Sequence, residues 1–170
     1  MLTFSSAFLT IGLNVRKGWK MAVLIKGSQK LFTPDRQRVR KVTEDLLTYL
    51  GLDTRDLSIL FTDNRQIRKI NRSYFNRDRA TNVISFSYVD GLPCEVLGDL
   101  VISLERAREE SEISGVPFYE RVFSLIIHGL LHVQGFDHET GEREARRMRY
   151  REKKLLTHVL SHKLYKELSA

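Results

Sequence analysis

"NVISFSYVDGLPCEVLGDLVISL", residues 82–104, decides the fold. Two runs rich in β-branched and aromatic residues flank an Asp-Gly turn signal, which predicts two strands lying as antiparallel neighbours. Toward the N-terminus, "LSILFTD" at 57–63 predicts another strand and "AVLIKG" at 22–27 a short buried one. Between them, in "TPDRQRVRKVTEDLLTYLG" (33–51), Val39, Val42, Leu46 and Leu50 recur at helical spacing. Thr33 is expected as the N-cap, Pro34 as the first helical residue and Gly51 just past the end. Strand, helix and strand in that order predict a right-handed crossover with parallel strands. A second helix, capped by Asp63 or Asn64, carries Ile67, Ile70 and Tyr74 on one stripe.

From about Leu104 onward the pattern is helical. "LERAREESEIS" is charged and stops before Gly115, while "FYERVFSLIIHGLLHV" is apolar enough to be largely buried. A last helix, from about Gly141 to Leu168, is strongly basic at its start. The expected fold is an α+β (α/β) domain: a small mixed sheet of four strands flanked by helices.

The chain has 170 residues, 42% hydrophobic and 29% charged, a balance that suits one globular domain. Residues 2–15, "LTFSSAFLTIGLNV", are apolar, and the charges Arg16, Lys17 and Lys20 follow them instead of preceding them. Residues 1–20 are therefore expected to be an N-terminal extension, with a single domain over 21–170. No apolar run reaches the roughly eighteen residues of a membrane span. The single cysteine, Cys94, can form neither an intramolecular disulfide nor a thiolate metal site, which favours a reducing, cytoplasmic compartment. No Gly-rich phosphate loop and no Ser-His-Asp or Cys-His set is visible, so ATP-dependent and covalent mechanisms lack support. A net charge of +7 favours an anionic partner such as nucleic acid.

Three of the five histidines fall within "HGLLHVQGFDH", residues 128–138. His128 and His132 are four apart, so on a helix they project from one face. Gly135 and "FDH" break the helix and let His138 approach from outside. Three neutral imidazoles suit one zinc ion and leave a fourth position for water, whose pKa falls to about 7. Burying three imidazoles with no shared partner would instead leave ring nitrogens unsatisfied. The metzincin proteases carry H-E-x-x-H-x-x-G-x-x-H in the same frame. Gly129 stands where they have the general-base glutamate, so a zinc peptidase or other metallohydrolase is the weaker alternative. His158 and His162 repeat the i, i+4 spacing, but among lysines and without a glycine break, which predicts a solvated face.

Arginine suits phosphate because its guanidinium binds bidentately. Arg65, Arg68, Arg72, Arg77 and Arg79 form one cluster, and Arg143, Arg146, Arg147, Arg149 and Arg151 another. Both are candidates to line an RNA path to the metal; Glu142, Glu144 and Glu152 partly neutralise the second. Asp137 and Glu139 are the carboxylates nearest the histidines, and Asp137 is expected to orient a ligand rather than act as base.

"HGLLHVQGFDHE" resembles the H-G-x-L-H-L-x-G-Y-D-H signature of the YbeY family of bacterial endoribonucleases and rRNA maturation factors. "INRSYFNRDRATNVISFSY" (70–88) and "LGDLVIS" (97–103) resemble two further family blocks, in the same order and spacing. The resemblance implies a zinc-dependent, single-strand-specific endoribonuclease acting in 16S rRNA 3′-end maturation and ribosome quality control, in the cytoplasm, with ribosomal or assembly proteins as partners. It implies His128, His132 and His138 as ligands of one zinc, and Asp99 as a partner-binding position. After the motif tyrosine, here Tyr74, the family usually has an arginine linked to activity; this chain has Phe75, with Ala80 in place of a proline. Arg72, Arg77 or Arg79 is the candidate replacement. A non-catalytic assembly factor with structural zinc is the remaining alternative.

Overall fold

The computed structural model describes residues 23–27, 34–88, 96–136 and 141–169. The expected extension at 1–20, Thr33, Cys94, Asp137, His138 and Glu139 lie outside the described residues. The elements are β1 (Val23–Gly27), α1 (Arg36–Tyr49), β2 (Asp56–Thr62), α2 (Asn64–Phe75), β3 (Val83–Ser87), β4 (Val96–Ser103), α3 (Leu104–Ser114), α4 (Phe118–Val133), α5 (Glu142–Ser161) and α6 (Lys163–Leu168). The sheet has the order β1-β2-β4-β3. As the sequence predicts, β1 and β2 are parallel, and β3 runs antiparallel to β4, with Ser85 opposite Leu100. β2 and β4 are parallel, which completes the mixed sheet and leaves β3 as an edge.

Two helix ends differ from expectation. α1 begins two residues later, because Asp35, not Thr33, is the N-cap and its carboxylate accepts from the Arg38 amide at 3.0 Å. The last helix is two: His162 takes an extended conformation (ψ 134°) and its Nδ1 accepts from the Leu164 amide at 3.1 Å. That break turns α6 so that Tyr165 packs edge-on against Phe123. Asp63 caps α2 as predicted, accepting from the Gln66 amide at 2.7 Å.

Side-chain alternation divides the core between the two faces of the sheet. On one face Leu57, Ile59, Phe61, Leu100 and Ile102 pack with α1 and α4, backed by α5 and α6. On the other, Ile84, Phe86 and Val101 pack with Ile67 of α2. α4 sits very close to the sheet. A Cβ added to Gly129 would meet Leu100 Cδ2 at 2.8 Å and Ser85 Oγ at 2.9 Å, and one on Gly98 would meet Val133 Cγ1 at 2.9 Å. These two glycines seat the histidine helix against β3 and β4.

Candidate functional site

The exposed face of α4 presents His128 and His132. Their ring centroids are 4.6 Å apart, the rings are nearly perpendicular, and the two Nε2 atoms stand 3.2 Å from each other. His128 is held from behind: its Nδ1 contacts Glu152 Oε1 of α5 at 2.7 Å. An ionised carboxylate only accepts, so Nδ1 carries the hydrogen and the lone pair of the neutral ring lies on Nε2. Nitrogens bound to one tetrahedral zinc stand roughly 3.3 Å apart, so the observed spacing fits two corners of such a site. Among the described residues no three His, Cys, Asp or Glu side chains gather around one point. The expected third ligand, His138, and Asp137 belong to the segment outside them.

The helix end that leads to that segment is well defined. The Phe136 amide donates to the Leu131 carbonyl at 3.0 Å and the Gly135 amide to that of His132 at 2.9 Å, with Gly135 at φ 86°. This is the 6→1 and 5→2 closure that a glycine at this position allows, and it ends α4 at Val133, one residue after His132. Ser87 Oγ of β3 donates to the Val133 carbonyl at 2.9 Å and ties the helix end to the sheet edge.

Both histidines line an open groove of about 850 Å³ along β3. Arg77, Arg79, Phe75 and Arg106 line it too. The loop after α2 is shaped by local bonds. Asn76 adopts a left-handed conformation (φ 55°) and its amide donates to the Arg72 carbonyl. The buried Asn71 side chain donates to the Arg79 carbonyl at 2.9 Å. Arg68 takes Asp78 bidentately, at 2.9 and 3.0 Å, and that hydrogen bond holds the Asp78 carboxyl below its usual range. Also on the groove lining, Glu110 accepts two bonds from Arg121, at 2.8 and 2.7 Å, and the Asn82 amide reaches both of its oxygens, at 3.1 and 3.3 Å.

A sequence profile of the family described as Endoribonuclease YbeY matches residues 25–160. The chain belongs to the endoribonuclease YbeY family. Endoribonuclease YbeY of Geobacter sulfurreducens is 43% identical over 140 residues, covering 79% of this chain and 93% of that protein. That of Aquifex aeolicus is 34% identical over 142 residues, covering 83% and 93%. The solution structure of TM1509 from Thermotoga maritima is similar in fold, with a TM-score of 0.60 at 20% identity, over 82% of this chain and 89% of that one. Family membership supports a nuclease, a hydrolase that cuts within RNA. Among the described residues no helix is long and apolar enough to cross a membrane.

The structure sorts the other residues singled out by the YbeY-like motifs and the charge clusters. His128, His132, Arg77 and Arg79 share one groove; Arg72 is exposed on the last turn of α2 and is not part of the lining. Asp99 is 4% exposed and lies on the α2 face of the sheet, where Tyr88 donates to it at 2.6 Å. Burial raises the Asp99 carboxyl above its ordinary range, against hydrogen bonds from Tyr88 and Ser58 that lower it. Burial, with the Asp99 hydrogen bond, likewise raises the Tyr88 hydroxyl. Along α5, Arg147 pairs with Glu144 at 3.8 Å and the Arg151 guanidinium stacks 4.4 Å over Phe136, so the second arginine cluster is partly engaged away from the groove. His158 is not on a solvated face: its Nε2 contacts Asp45 Oδ2 at 2.7 Å and its ring stacks on Tyr49 at 4.1 Å.

Sequence reading took Glu152 only as a charge that offsets nearby arginines, and it missed Arg106 and Asn71. Glu152 reaches His128 from 24 residues away on another helix, a proximity that no local pattern encodes. A weak signal does exist. Met148, Leu155 and Val159 form the buried stripe of α5, and Glu152 interrupts it at an apolar position.

Proposed function

We propose that this chain is a zinc-dependent endoribonuclease specific for single strands, acting in 16S rRNA 3′-end maturation and ribosome quality control in the cytoplasm. The observation that carries the reading is the 3.2 Å approach of the His128 and His132 Nε2 atoms on the wall of a groove that also presents Arg77 and Arg79. Family membership supplies the RNA substrate class.

In this reading His128, His132 and His138 hold one zinc. The ion would supply a Lewis acid and, through water whose pKa falls to about 7, a nucleophile at neutral pH. Arg77 and Arg79 grip backbone phosphates on the way to the histidines, since their guanidiniums match phosphate geometry. Phe75, 45% exposed and standing where the family usually has arginine, gives an unpaired base a ring to stack on. Asp137 orients a ligand, and Arg72 guides RNA from outside the groove. A partner contact at Asp99 passes through Tyr88, whose hydroxyl it holds. Ribosomal or assembly proteins are the partners expected there. The peptidase alternative is disfavoured by packing as well as by motif: a glutamate at 129 would have to displace Leu100 and Ser85.

Cleavage of labelled single-stranded RNA tests the reading, with protein as isolated, after chelation, after zinc is restored, and with His132→Ala. Loss with chelator, return with zinc and no cleavage by the variant are expected. No cleavage by folded, zinc-loaded protein would shift the conclusion to an assembly factor.

A further inference from the structure

We infer that Glu152 is a positioning residue for His128, fixing the tautomer and ring orientation that aim Nε2 at the metal. The inference rests on the zinc reading above. Its geometric basis is the 2.7 Å contact between Glu152 Oε1 and His128 Nδ1, opposite the nitrogen that approaches His132. Histidines that bind metal through one nitrogen commonly donate the other N–H to a carboxylate, which raises ligand basicity and holds the ring.

A purely structural ion pair explains the contact poorly. The two side chains are 32% and 31% exposed, and ion pairs so open to solvent add little to stability. α5 already docks through Met148, Leu155 and Val159, all buried in the main core. At the same stripe position an apolar residue would serve packing better than a carboxylate does. What a leucine cannot do is accept the Nδ1 hydrogen. Glu152 lines a separate, smaller groove of about 310 Å³ with Arg149, Lys153 and Ser124, and is not part of the lining of the main one. It therefore approaches the histidine from behind, away from Arg77 and Arg79.

The full chain carries the test, as wild type, Glu152→Leu, Glu152→Ala and Glu152→Gln. Zinc affinity is read by competition with a chromophoric chelator, ligand geometry by the d–d spectrum of the cobalt(II) form, and folding by the thermal midpoint of metal-free protein. Glu152→Leu should bind zinc ~10- to 100-fold more weakly and alter the cobalt spectrum, while its metal-free midpoint stays at or above that of the wild type. Glu152→Gln, whose amide oxygen still accepts from Nδ1, should recover more affinity than Glu152→Ala. Wild-type affinity in both the leucine and alanine variants overturns the inference and leaves the zinc reading standing. Folded wild-type protein that binds no zinc overturns both.

Discussion

Two histidine pairs with the same i, i+4 spacing meet opposite fates in this molecule. In α4, His128 and His132 turn their Nε2 atoms toward each other across 3.2 Å, and a carboxylate holds the far nitrogen of one ring. In the C-terminal helices, His158 is bonded to Asp45 and stacked on Tyr49, while His162 leaves the helix and caps the next one. Spacing makes convergence possible; neighbours decide whether it happens. The first pair lies on a helix that two glycines seat against the sheet, with its outer face opening on a groove. The second lies where α1 presents a carboxylate and a tyrosine ring, and those groups fix its geometry.

The largest test of this contrast removes one histidine from each pair. His128→Ala or His132→Ala should abolish bound zinc, a larger loss than the ~10- to 100-fold typical of an outer carboxylate, together with RNA cleavage. His158→Ala should retain full zinc content by elemental analysis and lose about 1 kcal/mol of stability, the loss of a half-exposed charged hydrogen bond. Zinc lost equally from both variants would erase the distinction.

Next in size is the seating of α4. Alanine for glycine inside a helix ordinarily stabilises by ~1 kcal/mol. At Gly129 the sign should reverse, because the added methyl meets Leu100 and Ser85 inside 3.0 Å, and overpacking costs roughly 1–3 kcal/mol. A lowered thermal midpoint for Gly129→Ala, with weakened zinc binding, is the expected result. A raised midpoint would show that the helix can move off the sheet without penalty.

A smaller effect separates groove arginines from the rest. Charge reversal at Arg77 and Arg79 together should weaken single-stranded RNA binding and flatten its salt dependence by ~1.4 in log–log slope, two phosphates at ~0.7 each. Reversal at Arg147 and Arg151, already engaged with Glu144 and Phe136, should do less. Equal effects would extend the RNA path along α5.

The smallest effect concerns Asp99, whose oxygens, like the nitrogen of His158, are taken up by neighbours. Its folded pKa is raised, chiefly by burial, so the folded state favours the protonated form. The associated stability is fully present below the unfolded value, about 3.9, and is lost as pH rises through the higher folded one. Asp99→Asn should therefore gain on the wild type as pH rises above about 4 and then hold a constant difference. A difference that shrinks with rising pH would mean that Tyr88 and Ser58 outweigh burial.

Much of the fold was legible because it rests on local signals. Runs rich in β-branched and aromatic residues on both sides of Asp90-Gly91 announce β3 and β4, and the stripe of α1 and the Asp63 cap announce their helices. The break at His162 was not legible, since it depends on an imidazole capping a helix that only packing on α1 and α4 makes worthwhile. Within the site, His128, His132, Arg77 and Arg79 follow from spacing and residue type. Arg106 and Glu110 do not, because a charged helix face looks the same in sequence whether it meets water or a groove.

By itself the sequence determined the elements, the mixed sheet, the family and the helix face that carries two imidazoles, because periodicity, turn chemistry and i, i+4 geometry act over a few residues. Tertiary structure decided which histidine pair converges, that Glu152 stands behind His128, and that Asp99 is buried. Each of these depends on which side chain arrives from another element, at distances in sequence where the pattern along the chain carries no information.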